Sequence, residues 1–298
     1  MNNLKQLGIA LHNYNSAFGT FPTGQYVTPS PGTPCRPGFG WDGVCLDHIP
    51  HVTFMVLIYA YLEEDNTFDQ MDFSAPTSYL AWRPEVVEKV VPTFRCPSDG
   101  IGAIPYSASL NTPGGHHLFY TKGNYHGVFS GDTMADVGMD IVGKISRYYK
   151  PKRRAVFGVN RWTSIKHITD GTSKTMLMSE YIDGGEDLRG FYWEASAGAG
   201  AILTQHPPNT SIPDILIGWT EDWCPEGANQ PENNRPCVKG GGPGAAFLKN
   251  TSAARSMHPG GVHALLADGS VHFVEELIDL ATWQRLAGMQ DGLVFEDF

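Results

Sequence analysis

Five cysteines and eleven histidines are the strongest nucleophiles and soft metal donors in the 298 residues. Cys35 and Cys45 bracket CRPGFGWDGVC, and Cys224 and Cys237 bracket CPEGANQPENNRPC, both rich in the residues of loops. Each pair closes a span of roughly ten to fifteen residues. Local closures of this kind read as disulfides, which form in oxidising compartments and contribute about 2–3 kcal/mol each. Zinc is the rival use of such cysteines, but neither pair has the C-x2-4-C spacing of a zinc knuckle. Cys35–Cys45 and Cys224–Cys237 are therefore the expected bonds, and Cys96 is left over as a free thiol.

The histidines close no metal site by spacing alone. His48 and His51 are three apart, His116 and His117 are adjacent, and His263 and His272 lie on the two arms of an expected hairpin. Two ligands are too few, and no carboxylate is fixed beside them. Asp170 in DGTS and Asp268 in DGS each precede a glycine. Such an aspartate holds a tight turn by accepting backbone N–H bonds, or it supplies a hard oxygen to calcium. Neither stretch has the D-x-D-x-D-G pattern, so turns are expected, with Asp170 and Asp268 the only calcium candidates. GTSKT at 171–175 lacks the glycine that a phosphate loop needs before its lysine. G-x-S-x-G, H-E-x-x-H and S-x-x-K are all absent, so no nucleophile–base pair can be assembled and no enzymatic activity is expected. Trp219 and Trp223 close an aromatic-rich region beginning at Trp193, and such rings can stack on sugars or fill a core.

The elements that must carry these residues begin with a helix. Leu4, Leu7, Leu11, Tyr14 and Phe18 are spaced three, four, three, four, which is one apolar stripe. Asn2 or Asn3 is the expected cap, and Asn3, Lys5 and Gln6 should turn away from the core. Phe54, Leu57, Ile58, Tyr61 and Leu62 share a second helical face, and a short helix starts at Pro84 and stops before Pro92. From about residue 118 the pattern changes to strands: HLFYTK, NYHGVFSG, AVFGVN, TMLMSEY and GFYWEASA are short, aromatic or β-branched, and divided by turn residues. Asp268-Gly269 signals a two-residue hairpin turn that pairs Leu266 with Val271 and Ala264 with Phe273, all four facing the core. Residues 204–257 read as an insertion stapled by Cys224–Cys237. DLATWQRLAG closes the chain as a helix capped by Asp279 and stopped at Gly288. Helices first, then a mostly antiparallel sheet, then a short helix, make an α+β layout in a single domain spanning 1–298.

Composition sets limits on function. A net charge of −10 with only 21 Lys and Arg disfavours nucleic-acid binding. The one basic run, KPKRR at 150–154, reads as a solvated loop. No run approaches the ~18 apolar residues of a membrane span, and no secretory signal peptide is present, although the cysteines point to export.

Five stretches in order carry a resemblance: NNLKQLGIALHNYNSAFGTFP, VPTFRCPSDG, NYHGVF, ITDGTSKTMLMSE and HPGGVHALLADGSVHFV. Together they resemble the planctomycete family of prepilin-like proteins of unknown function, which ends in an H-x9-D-G signature, here His258, Asp268 and Gly269. The resemblance runs from end to end apart from 204–250. It implies a pilin-like fold, with a helix packed on an antiparallel sheet and long inserted loops. It also implies a prepilin leader and an apolar helix ahead of NNLKQ, so residues 1–20 read as a truncated helix and any membrane anchoring would run through the missing segment. The function implied is a non-enzymatic, pseudopilin-like subunit of a type II secretion or pilus-like apparatus. Its partners would be other pilin-like subunits or secretion machinery, in the cell envelope at the periplasm or cell surface. The alternative is a surface module binding glycans or proteins, with Trp219 and Trp223 as stacking residues.

Overall fold

A computed structural model of the chain describes residues 1–26, 40–41, 44–45, 52–71, 73, 84–100, 104–108, 118–133, 140–141, 144–145, 153–185, 187–194, 197–216, 224–240 and 249–293. Helix α1 spans Asn2–Phe18 and ends at Gly19, whose φ of 76° is the left-handed geometry of a helix stop. Leu4, Leu7, Leu11 and Tyr14 are buried, as the stripe requires. Phe18 is not: it is 63% exposed and leans on the Tyr14 ring at 4.5 Å, with the core already behind it. Neither asparagine caps the helix, since Met1 occupies the cap position without a side-chain bond. Lys5 and Gln6 face solvent as expected, but Asn3 turns inward and donates to the Arg95 carbonyl at 2.7 Å.

The central sheet has five strands: β1 (Tyr125–Ser130), β2 (Met176–Glu180), β3 (Ala201–Leu203), β6 (Gly261–Leu266) and β7 (Val271–Glu275). Two more, β4 (Asp214–Leu216) and β5 (Cys237–Lys239), form a separate parallel pair. The order across the sheet is β3-β1-β2-β6-β7, and only the β3–β1 pairing is parallel. Helix α1 packs against β6 and against the turns at 59–61 and 92–94. Gly8 lets it approach closely, because a Cβ there would stand 2.8 Å from Leu265 Cδ1. On the opposite face, helix α2 (Leu280–Leu286) adds Trp283 and Leu286 to a second cluster with Val128, Met176, Ile202, Ala264 and Leu266. Covered on both faces, β2 reads as a nearly unbroken apolar run rather than an alternation. The arrangement is α+β with its helix on a mainly antiparallel sheet, consistent with a pilin-like fold. Among the described residues, no helix is long and apolar enough to cross a membrane.

Four local expectations change. The hairpin loop holds three residues, Ala267–Asp268–Gly269, with Gly269 at φ 83° and Leu266 N–H bonded to the Ser270 carbonyl. The extra loop residue slips the register, so Leu265 faces Val271, Ala264 faces His272 and His263 faces Phe273. A one-residue slip exchanges faces. Val274 is therefore the buried residue of β7, while Phe273 is 41% exposed and rests on the His263 ring. The described part of GFYWEASA at 190–194 is not a strand: Phe191, Tyr192 and Trp193 are core residues carried on turns. Their polar ends are satisfied, with Tyr192 Oη 2.8 Å from both Tyr59 Oη and Thr121 Oγ1, and Trp193 Nε1 donating to the Thr121 carbonyl. AVFGVN is not a strand: a single bridge ties Arg154, just ahead of it, to Ser130 of β1, and another ties its Val159 to Gln25, outside the central sheet. The second helical face of 54–62 divides into an α turn at Phe54–Leu57 and a tighter turn at Tyr59–Tyr61.

Helix α2 begins where expected, with Asp279 Oδ1 accepting the Thr282 N–H at 2.9 Å. It ends at Ala287 in right-handed geometry, so Gly288 is not its stop. Cys224 and Cys237 are bonded, with Cα atoms 6.0 Å apart, and Cys96 is a buried free thiol. The Cys35–Cys45 pairing lies outside the described residues, as do Trp219, Trp223, His48, His51, His116 and His117.

His126 on β1 is fully buried against the Tyr181 ring and bonds the Gly123 carbonyl through Nε2. Burial lowers its pKa to about 4, against weaker upward pulls from the Gly123 carbonyl, Asp183 and Gly200. The unfolded chain takes up this proton near pH 6.5, whereas the folded chain refuses it until about pH 4. Stability from this residue is therefore complete above about pH 6.5 and drains away on acidification toward pH 4, by on the order of 3 kcal/mol. Urea titrations across that window should show a smaller pH dependence for His126→Asn than for wild type. Parallel curves would remove His126 as the cause.

Candidate functional site

Four titratable side chains far apart in the chain meet at one corner of the sheet, on the face covered by α1. Glu180 ends β2 and His263 lies on the adjoining strand β6. His258 sits in the loop entering β6, and Cys96 in the turn after the short helix at 92–94. Cys96 Sγ is 3.7 Å from His258 Nε2 and 3.9 Å from Glu180 Oε1, and those two atoms are 3.2 Å apart. The other side of the carboxylate is held by His263, whose backbone N–H donates to Oε2 at 2.8 Å and whose Nδ1 lies 3.2 Å from both oxygens. The two imidazole rings cross edge to face at 4.9 Å.

Cys96 and Glu180 are buried, and the His258 side chain keeps 25% of its exposure. Tyr125 closes the inner wall. Burial drives its hydroxyl far above the usual tyrosine range, reinforced by Cys96 and Glu180, with Asn3 of α1 pulling it back.

A second layer fixes the turn that carries Cys96. Its backbone N–H donates to Asn124 Oδ1 at 2.9 Å, and Asn124 Nδ2 donates to Asp99 Oδ2 at 2.6 Å. Asp99 also receives Arg235 Nη2 from the stapled insertion at 2.5 Å and the Asp183 N–H at 2.9 Å. Asp183 in turn pairs with Lys122 and Arg95, each at 2.6 Å. The loop bearing His258 is pinned by Ser256, whose hydroxyl accepts the His258 N–H and donates to the Gly261 carbonyl.

This geometry brings together a thiol, an imidazole and a carboxylate that no spacing rule had joined. In a nucleophile–base relay the carboxylate holds the imidazole nitrogen opposite the thiol. Here Cys96 and Glu180 both face Nε2 of His258, so the three atoms converge on a point instead of forming a chain. His263 belongs to the cluster through Glu180, while His272 turns away to Ser270 Oγ on the exposed side of β7. Asp170 accepts the Asp291 and Gly292 N–H groups, and Asp268 accepts the Ser270 N–H and hydroxyl. Asp268 therefore makes the local turn bonds expected of it, whereas Asp170 spends both oxygens on the distant segment at 291–292. His258 and Asp268 stand at opposite ends of β6, so the signature residues serve two separate places: His258 the cluster, Asp268 and Gly269 the hairpin loop.

The signal in the sequence that points to the cluster is the set of five stretches itself, since each sends a residue here: Asn3, Cys96, Tyr125, Glu180, and His258 with His263. The fold and its corner define an α+β domain in which one helix and a two-sided sheet hold a buried thiol–imidazole–carboxylate centre. The chain belongs to the family described as proteins of unknown function DUF1559, which matches residues 1–281. No curated protein and no solved structure matches it.

Proposed function

We propose that the chain is a non-enzymatic, pseudopilin-like structural subunit of a type II secretion or pilus-like apparatus in the cell envelope, in a prepilin-like branch of its family such as planctomycetes carry. The observation that supports this reading most is the division of labour on α1. One side is seated on the sheet side of the core, while Ile9 and Phe18, 57% and 63% exposed, remain available to a neighbour. A helix that serves its own sheet with one side and other subunits with the other is what such assemblies require. The bonded Cys224–Cys237 loop supports an oxidising location. In this reading an apolar helix ahead of Asn2 anchors the subunit in the inner membrane before assembly, and its partners are pilin-like subunits or secretion machinery.

The test compares the chain alone with the same chain fused behind an apolar helical segment. Solution scattering should find the first monomeric, and the second should partition into membranes and self-assemble. Filaments formed without the added helix, or none formed with it, would reject the reading.

A further inference from the structure

We propose that Cys96, Glu180 and His258 bind a single zinc ion. Their donor atoms all lie within 4.8 Å of one another, and they are the only such trio among the described residues. Zinc–sulfur bonds of about 2.3 Å and zinc–nitrogen or zinc–oxygen bonds of about 2.0–2.1 Å, set at tetrahedral angles, place ligand atoms about 3.3–3.6 Å apart. The observed separations are 3.2, 3.7 and 3.9 Å, so small side-chain adjustments bring the three atoms to bonding distance. The donor set selects the metal class. A thiolate and an imidazole favour zinc among the abundant divalent ions, and calcium or magnesium would want oxygen alone.

The surroundings are those of a metal centre. His263 holds the Glu180 carboxylate from behind, its backbone N–H on Oε2 at 2.8 Å and its Nδ1 3.2 Å from both oxygens, while Oε1 is the oxygen that also faces Cys96 and His258, as suits an outer-layer partner. The ligands come from three separate segments, each fixed independently: Glu180 by the sheet, Cys96 by Asn124, and His258 by Ser256. Three protein ligands leave the fourth position to water or an incoming donor, and the partly exposed edge of His258 is its approach. Bound zinc would join the 92–100 turn to the sheet directly beneath the start of α1, where Asn3 bonds the Arg95 carbonyl.

The proposal is independent of assembly and is tested on the chain alone. Metal-stripped protein, kept reduced at Cys96, is titrated with zinc and separately with cobalt(II). One zinc per chain is expected, bound at least 100-fold more tightly by wild type than by Cys96→Ser or His258→Gln. His263→Ala should weaken binding about 10–100-fold through loss of the outer-layer hold. Cobalt should give a thiolate charge-transfer absorption that Cys96→Ser abolishes, and zinc should raise the melting temperature of wild type only. Glu180→Gln carries the greater risk of misfolding because Glu180 is buried. His258→Gln, at the exposed edge, keeps the test decisive. Equal zinc affinity in wild type and His258→Gln, or cobalt bound without the thiolate band, would mean that scattered histidines bind the metal, and would overturn the proposal.

Discussion

Asp183→Ala should lower the folding free energy by about 3–5 kcal/mol, the cost of removing one partner from a buried ion pair. Asp183 is fully buried, and its two oxygens divide between two cations, Oδ1 to Lys122 and Oδ2 to Arg95. Lys122 is buried to the ammonium, and its remaining bonds go to the carbonyls of Gly185 and Asp187. Carbonyl dipoles solvate such a charge only in part, so losing the carboxylate leaves it uncompensated. The Gly185 N–H also loses its acceptor, Asp183 Oδ1. Asp183→Asn keeps the shape and some hydrogen bonding but not the charge, and should fall between wild type and Asp183→Ala. Urea denaturation of the three proteins at neutral pH gives the comparison. A loss below about 1 kcal/mol for Asp183→Ala would show that water reaches Lys122. Because Arg95 immediately precedes Cys96, the same variant should loosen the thiol-bearing turn, which faster alkylation of Cys96 would report.

Leu7→Ala is the second large effect. Leu7 is wholly buried at the middle of the α1 stripe, and leucine-to-alanine changes at such sites cost about 2–5 kcal/mol through lost transfer energy and the cavity left behind. The opposite side of the helix provides the control. Ile9 is largely exposed, so Ile9→Ala should change stability by no more than about 0.5 kcal/mol. Thermal and urea melts of both variants decide whether α1 is integral to the core or merely rests on it. Equal, small losses would mean that the helix can detach, and would remove the basis for its shared role. In the assembly proposed above the ranking should reverse in one respect: Ile9→Ala should weaken self-association while leaving the monomer's melt unchanged.

Much of the architecture follows from local rules that need no tertiary context. The three-four spacing of Leu4, Leu7, Leu11 and Tyr14 allows only a helix with one buried side. Asp279 ahead of a periodic run is a helix cap in any setting, and a sequence separation of thirteen between Cys224 and Cys237 suits a local bond. Such features depend on contacts within a few residues, which the order of side chains dictates.

Where several arrangements were locally acceptable, tertiary structure chose. Asp268-Gly269 suits a two-residue or a three-residue loop, and the packing of β6 selects the longer one, moving Phe273 from the expected core to the surface. Aromatic Phe191, Tyr192 and Trp193 would suit a strand equally well, but hydrogen bonds to Tyr59 and Thr121 hold them in the core on turns. The cluster is the extreme case. Cys96, Glu180 and His258 are separated by roughly eighty residues at each step, and nothing in the intervening sequence encodes their distance. They meet because β2 ends beside β6, because Asn124 draws in the Cys96 turn, and because Ser256 sets the loop that aims His258. Each of those constraints is a long-range contact between groups with no periodic relation, so the order of residues names the donors while only the folded chain brings them within bonding reach.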